Sequence, residues 1–82
     1  MITPESIKNH IEIAMPCELV HVEGEDGRHF NAVIVSAEFR GKNRVEQHQI
    51  VYRALGDRMK QEIHALSMKT LTPEQWAESS QA

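Results

Sequence analysis

The segment of residues 29–36 constrains the fold most, because it is the clearest β-strand in the sequence. Three consecutive β-branched residues occupy positions 33–35, and Phe30 lies near the start. Residues of these types favour strands. A second strand is predicted over residues 18–23, and the glycine-bounded turn at residues 24–27 joins the two as an antiparallel hairpin.

Starting signals predict helices before, between and after the strands. Thr3 and Thr72 are each followed by proline and glutamate, an order in which threonine caps a helix and proline occupies its first position. The first helix should end before Pro16. Asn43 is the predicted cap of a middle helix, which Gly56 ends or splits in two.

The middle helix carries an apolar face at alternating spacings of three and four residues. Its members are Val45, His48, Tyr52, Leu55 and Met59, and Val51 widens the face. We expect this face to lie on the core. At His48 the periodicity favours a buried, hydrogen-bonded histidine over a metal ligand.

A third strand is predicted over residues 63–70, with His64, Leu66 and Met68 on one side. Trp76 is the expected anchor of the last helix on the core. The order helix, strand, strand, helix, strand, helix indicates an α+β fold with a three-stranded mixed sheet and helices on one face. The last strand follows a helical crossover, so it should run parallel to one strand of the hairpin.

The chain of 82 residues is expected to form a single domain over residues 1–82, with a frayed polar end at 78–82. Its net charge of −3 lacks the strong positive field of a dedicated nucleic-acid binder. The sequence shows no secretion signal and no apolar run of membrane-spanning length, so we expect a cytoplasmic location without membrane contact.

The residues give no indication of an enzyme. No glycine loop for phosphate binding and no nucleophile motif is present. The single cysteine, Cys17, follows a proline and precedes Glu18, which is a poor setting for a thiolate, so an unreactive thiol is expected. We predict that the protein is not an enzyme.

Five histidines are the notable chemical feature. His10 is expected on the surface, and His21 could be buried or exposed. No pair has the close spacing of a self-contained zinc site. His29 and His64 can each be a surface residue or part of a metal site shared with another protein, because neutral imidazole is a good ligand for iron.

Four stretches of the chain, taken in order, resemble the BolA family. Residues 33–42 resemble its valine-rich strand followed by serine, an aromatic residue and Gly-Lys, and residues 44–52 resemble its histidine-bearing helix. Residues 63–66 match its His-Ala strand, and residues 69–76 match its C-terminal Thr-x-x-Trp element. The resemblance covers residues 18–77 and implies a class II KH-like αββαβα fold.

The resemblance also implies a role. BolA-like proteins pair with monothiol glutaredoxins of the CGFS type and share a [2Fe–2S] cluster with them, in iron–sulfur cluster assembly, transfer or iron sensing. Glutaredoxin supplies a cysteine and glutathione a thiolate. The resemblance implies His64 as one ligand from this chain and a His or Cys of the hairpin loop as the second. Residues 24–28 contain neither, so His29 is the candidate. The chain alone would hold no cofactor.

The alternative function is that of a KH-like DNA-binding transcriptional regulator of the stress response. The candidate surface consists of Arg40, Lys42 and Arg44, around the loop before the middle helix. The GxxG loop with which KH domains clamp a nucleic-acid backbone is not present there, since only the first of its two glycines occurs. A third class is a metal-free adaptor of glutaredoxin.

Overall fold

The computed structural model of the protein describes residues 2–62 and 65–80, with side chains described for residues 2–57 and 65–79. Its elements follow the predicted order. They are α1 (Pro4–Ala14), β1 (Leu19–Glu23), β2 (His29–Val35), a 3₁₀ turn (Ala37–Phe39), α2 (Arg44–Glu62), β3 (Ala65–Leu71) and α3 (Pro73–Ser80). Residues 78–80, part of the end that was expected to fray, thus lie in a helix.

Helix α1 begins where the sequence predicts, at Pro4 after the cap residue Thr3. The Thr3 hydroxyl accepts a hydrogen bond from the backbone N–H of Ser6, and the Ser6 hydroxyl accepts one from the N–H of Thr3, both at 3.1 Å. These bonds satisfy backbone donors that the first turn leaves without partners. Ile7 and Ile11, one turn apart, are fully buried, so α1 packs through one face.

Strand β2 is the centre of the three-stranded sheet, whose order is β1-β2-β3. It pairs antiparallel with β1 from Leu19–Val35 to Glu23–Asn31. On its other side it pairs parallel with β3 from His29–Ala65 to Val35–Leu71. The predicted hairpin and the predicted parallel third strand are both confirmed.

The core lies on one face of this sheet. Alternate residues of a strand point to the same side, and Phe30, Ala32 and Ile34 of β2 are all buried there. The helices contribute Ile7, Ile11, Val51 and Leu55 to the same cluster. Leu66 and Met68 of β3 pack against it, as the alternation predicts. Helices α1 and α2 therefore cover one face of the sheet.

The predicted core face of α2 is confirmed for Val51 and Leu55 but wrong for two of its other members. Val45 is 66% exposed and Tyr52 is 37% exposed, although both belong to the expected apolar face. The buried residues of the helix are Gln47, Val51 and Leu55, which follow one another at intervals of four. The helix is thus rotated relative to the prediction, and a glutamine takes the place of an apolar residue in the buried row.

Gln47 is buried because its amide group is fully engaged. Its Nε2 atom donates to the carbonyl oxygens of Phe39 at 3.2 Å and Lys42 at 3.0 Å, and its Oε1 atom accepts from the hydroxyl of Thr70 at 2.6 Å. A buried polar group that is hydrogen-bonded avoids the penalty of losing water. The amide therefore ties α2 to the preceding loop and to β3.

Two further expectations concern the ends of the helices. Gly56 has φ 76° and ψ 165°, so α2 is kinked there, as predicted. Met59, the last member of the predicted face, has a side chain outside the described ones. Trp76 is 37% exposed, so more than half of this residue is covered, and its expected role as an anchor on the core stays a prediction. An ion pair between Arg40 and Glu74 connects the first turn of α3 to the loop before α2.

Gly24 lies where the hairpin leaves β1, and the chain passes too close there for any side chain. A Cβ atom at this position would lie 2.6 Å from the carbonyl oxygen of His29 and 2.7 Å from Cδ1 of Phe30. Both atoms belong to the start of β2, so the absence of a side chain at Gly24 sets the approach of the two strands.

We therefore expect Gly24→Ala to lower the free energy of unfolding by about 1–3 kcal/mol, the usual cost of forcing extra atoms into a packed site. Urea denaturation followed by circular dichroism measures this. Gly41→Asn is the control, because Gly41 has φ +75° and a Cβ atom added there would meet no described heavy atom within 4 Å, and asparagine tolerates this backbone conformation. Equal stability of Gly24→Ala and the unmodified chain would contradict the prediction.

Candidate metal centre

The hairpin loop is organised by the carboxylate of Asp26. Its Oδ1 atom accepts hydrogen bonds from the backbone N–H groups of Arg28 and His29, both at 2.9 Å. Its Oδ2 atom lies 2.8 Å from Nδ1 of the His29 ring. One carboxylate thus closes the turn and also contacts the first side chain of β2.

These contacts favour the ionised form of Asp26. The backbone N–H of His29 lowers the pKa of the carboxyl group most, followed by the ring of His29 and the backbone N–H of Arg28. The resulting pKa lies far below the usual range of an aspartate, so the group is an anion throughout the physiological pH range.

His29, the weaker of the two sequence-predicted ligands, lies at the surface. Its side chain is 64% exposed and that of Asp26 is 52% exposed, so the pair is accessible to a partner molecule. An exposed imidazole whose second nitrogen contacts a carboxylate is a common arrangement in metal-ligating histidines. The residues therefore fit the requirement for one imidazole ligand.

His64, the stronger sequence-predicted ligand, lies outside the described residues. Its neighbour in the chain, Ala65, is the first residue of β3, and the Cα atoms of Ala65 and His29 are partners in the parallel ladder. The backbone N–H of Ala65 donates to the carbonyl oxygen of Arg28 at 3.0 Å. In the sequence His29 follows Arg28, and His64 precedes Ala65. Each candidate ligand is therefore the sequence neighbour of one of the two residues that this hydrogen bond joins.

The other histidines lie elsewhere. His10 is exposed on α1, as predicted, where its Nδ1 atom lies 3.1 Å from the carbonyl oxygen of Ser6. His21 is exposed on β1, 3.6 Å from a carboxylate oxygen of Glu23. His48 follows the buried Gln47 in α2 and is only half-buried, so the expectation of a buried histidine is wrong. The rotation of α2 that buries Gln47 accounts for this.

Within the described part of the chain, no group of three or more His, Cys, Asp or Glu side chains is arranged to hold a metal ion. A metal bound at His29 would take its remaining ligands from elsewhere. Such a requirement is met by a site that two molecules share.

Cys17 is half-buried against the hydrophobic cluster, and its thiol donates to the carbonyl oxygen of Met15 at 3.6 Å. Burial raises the pKa of this thiol, and the negative charge of Glu12 raises it further. Both effects disfavour the thiolate, which is the reactive and metal-binding form.

The three basic residues of the alternative site differ in their surroundings. Lys42 and Arg44 are exposed. Arg40 donates from Nε to Oε1 of Glu74 at 2.8 Å and from Nη2 to Oε2 at 2.5 Å, a two-pronged ion pair across 34 positions of sequence. The hydrogen bond from Arg40 also lowers the pKa of Glu74. The charge of Arg40 is therefore balanced within the protein.

Sequence reasoning missed Asp26, Gln47 and Glu74. An aspartate beside a glycine in a turn is a signal for side-chain capping of the turn, and it could have indicated Asp26. Gln47 and Glu74 gain their partners only through tertiary contacts. The described residues include no helix that is both long enough and apolar enough to cross a membrane.

Comparisons with known proteins agree with this fold. The model of the family described as BolA-like protein matches residues 2–75. The chain is 38% identical to protein BOLA2 of Arabidopsis thaliana, over 99% of this chain and 90% of that protein. The solved structure of a BolA homologue from Coxiella burnetii matches with a TM-score of 0.82 at 41% identity, covering 94% of this chain and 99% of the other.

A third relative carries a functional name. The protein of Haemophilus influenzae called DNA-binding transcriptional regulator BolA is 44% identical over 48 residues, which cover 58% of this chain and 47% of that protein. The chain spans 62% of the length of BolA-like protein 1 from Homo sapiens and from Pongo abelii. The family model, the relatives and the shared fold together show that the chain belongs to the BolA family.

Proposed function

We propose that this protein is a non-enzymatic partner of a monothiol glutaredoxin of the CGFS type, and that the two share a [2Fe–2S] cluster in iron–sulfur cluster assembly, transfer or iron sensing. The observation that supports this is the hydrogen bond between Arg28 and Ala65, which connects the neighbours of His29 and His64 across two parallel strands. Neighbouring strands lie roughly 4.8 Å apart. Residues 28 and 29 thus lie beside Ala65, and the residue that precedes Ala65 in the sequence is His64.

The two imidazoles would form this chain's half of the site, with the cysteine of glutaredoxin and a glutathione thiolate on the other iron. Neutral imidazoles in place of thiolates on one iron remove negative charge and raise the reduction potential of the cluster. Because an imidazole must lose its proton to bind metal, such a site also releases its cluster more easily as the pH falls. Both properties suit transfer or sensing.

The first test is reconstitution without oxygen from this protein, a monothiol glutaredoxin, glutathione, iron and sulfide. We expect a visible absorption and circular dichroism spectrum that differs from that of the glutaredoxin homodimer. His64→Ala should abolish the difference, and His29→Ala should change it and weaken cluster retention by about 10- to 100-fold, a magnitude typical of disturbing a metal site.

His10→Ala is the matched control, because His10 is an exposed histidine on α1 and is not a candidate ligand. This variant should keep the spectrum of the unmodified protein. A homodimer spectrum in every mixture would overturn the proposal. Association of the two proteins without iron, with no mixed cluster, would identify a metal-free adaptor.

The second candidate function is DNA binding, which the name of the Haemophilus influenzae relative favours. The exposed residues Lys42 and Arg44 would contact phosphate groups. Arg40 would contribute less, since Glu74 accepts hydrogen bonds from the Nε–Nη2 edge of its guanidinium and offsets its charge.

If DNA binding occurs, Arg44→Ala should weaken it and lower the slope of log affinity against log salt by about one. Glu74→Gln should strengthen binding several-fold, because it releases Arg40 and removes a negative charge. Glu78→Gln is the control, as it removes an equal charge from the same helix. Fluorescence anisotropy with labelled duplex DNA measures these effects, and absence of binding at low salt would eliminate this function.

A further inference from the structure

We infer that Asp26 is a positioning residue for His29, which it holds in the form protonated on Nδ1 so that Nε2 is the nitrogen that binds metal. The role toward iron rests on the proposed function. The assignment of the proton does not, because it concerns only this chain without metal.

The carboxylate of Asp26 is fixed in direction. Its Oδ1 atom accepts two backbone hydrogen bonds at 2.9 Å, from Arg28 in the loop and from His29 at the start of β2. These bonds orient the carboxylate plane, and Oδ2 then lies 2.8 Å from Nδ1 of His29. An ordinary surface ion pair lacks such an anchor, because both of its side chains rotate freely.

The identity of the proton donor follows from the state of Asp26. An ionised carboxylate has no proton and can only accept hydrogen bonds. In a neutral imidazole, one nitrogen carries the proton and the other carries the lone pair. The short contact between Oδ2 and Nδ1 therefore requires the proton on Nδ1, and the lone pair on Nε2. Neutral histidine without such a partner prefers the opposite form, so Asp26 reverses the intrinsic preference.

This arrangement prepares the ring for metal binding. A metal binds the imidazole lone pair, and a carboxylate on the other nitrogen orients the ring and increases the electron density of the ligand. The hairpin of this chain lacks a histidine or cysteine within residues 24–28. Asp26 allows His29, the residue after the loop, to serve as the ligand instead. Its Nε2 atom is then already fixed as the nitrogen that binds metal.

The test begins with the unmodified protein without metal. Long-range ¹H–¹⁵N correlation spectra, recorded at a pH where the ring is neutral, distinguish the two protonation forms of His29. We expect the form protonated on Nδ1 to dominate, while exposed His21, whose Nε2 atom lies 3.6 Å from a carboxylate oxygen of Glu23, serves as an internal comparison. Dominance of the form protonated on Nε2 at His29 would overturn the inference without any variant.

Asp26→Asn then reverses the hydrogen bond at nearly constant shape. The amide oxygen can still accept from the two backbone N–H groups, but the amide nitrogen can only donate to Nδ1. The proton of His29 should move to Nε2. Glu25→Gln is the matched control, because it removes the same charge from the adjacent position and should leave His29 unchanged. Retention of the proton on Nδ1 in Asp26→Asn would overturn the inference.

The final measurement addresses iron. In the reconstituted complex, Asp26→Asn should reduce cluster retention by about 10-fold or more, while Glu25→Gln retains it. Equal retention in both variants would overturn the metal-directing role. Absence of any mixed cluster in the unmodified protein would instead remove the proposed function, and the measured proton position of His29 would still stand.

Discussion

The pairing of β2 on both of its edges is the interaction on which the rest of the structure depends. One edge carries the antiparallel hairpin with β1, and the other carries the parallel ladder with β3. Its inner face supplies Phe30 and Ile34 to the core, where α1 and α2 pack. The first residue of the same strand is His29. A change that shifted this strand would therefore disturb the core, the register and the candidate site together.

The polar contacts determine how the remaining elements sit on this strand. Gln47 connects the loop after the 3₁₀ turn, helix α2 and strand β3 through its amide group. Ser36, fully buried, donates to the carbonyl oxygen of Pro16 at 2.6 Å and accepts from the N–H of Glu38. Apart from the local bond from Glu38, each of these bonds joins residues that are not paired in the strand ladders. A domain this small has little apolar surface to specify such junctions, so directional hydrogen bonds do so.

The order of the elements was predictable because it rests on local chemistry. The caps at Thr3, Asn43 and Thr72 act through bonds to residues three positions away, which the sequence displays directly. The strand alternation of β2 and β3 is also local. The buried face of α2 was not predictable, because a periodicity of apolar residues assigns Gln47 to the surface. Its burial depends on partners up to 23 positions away.

The surroundings of the candidate site were less predictable. The family resemblance offered His29 as a candidate ligand, which stays a prediction, and the register places its Cα atom opposite that of Ala65 in β3. Its contact with Asp26 depends on the geometry of the turn, which spacing alone does not describe. The availability of Arg40 to a ligand was overestimated, because the sequence gives the charge of a residue but does not identify an ion-pair partner 34 positions away. Local sequence patterns thus predict helices and strands better than they predict which charged side chains pair.

The kink at Gly56 has a consequence for the kinds of residue that the position accepts. Its φ of +76° belongs to the left-handed region, and no described heavy atom lies within 4 Å of a side chain built there. The requirement is therefore one of chirality and not of space, because L-residues meet a steric conflict in their own backbone at this angle. A D-amino acid has the mirror-image preference. In a chain of 82 residues, which is within reach of chemical synthesis, D-alanine could occupy the kink while restricting the unfolded chain more than glycine does.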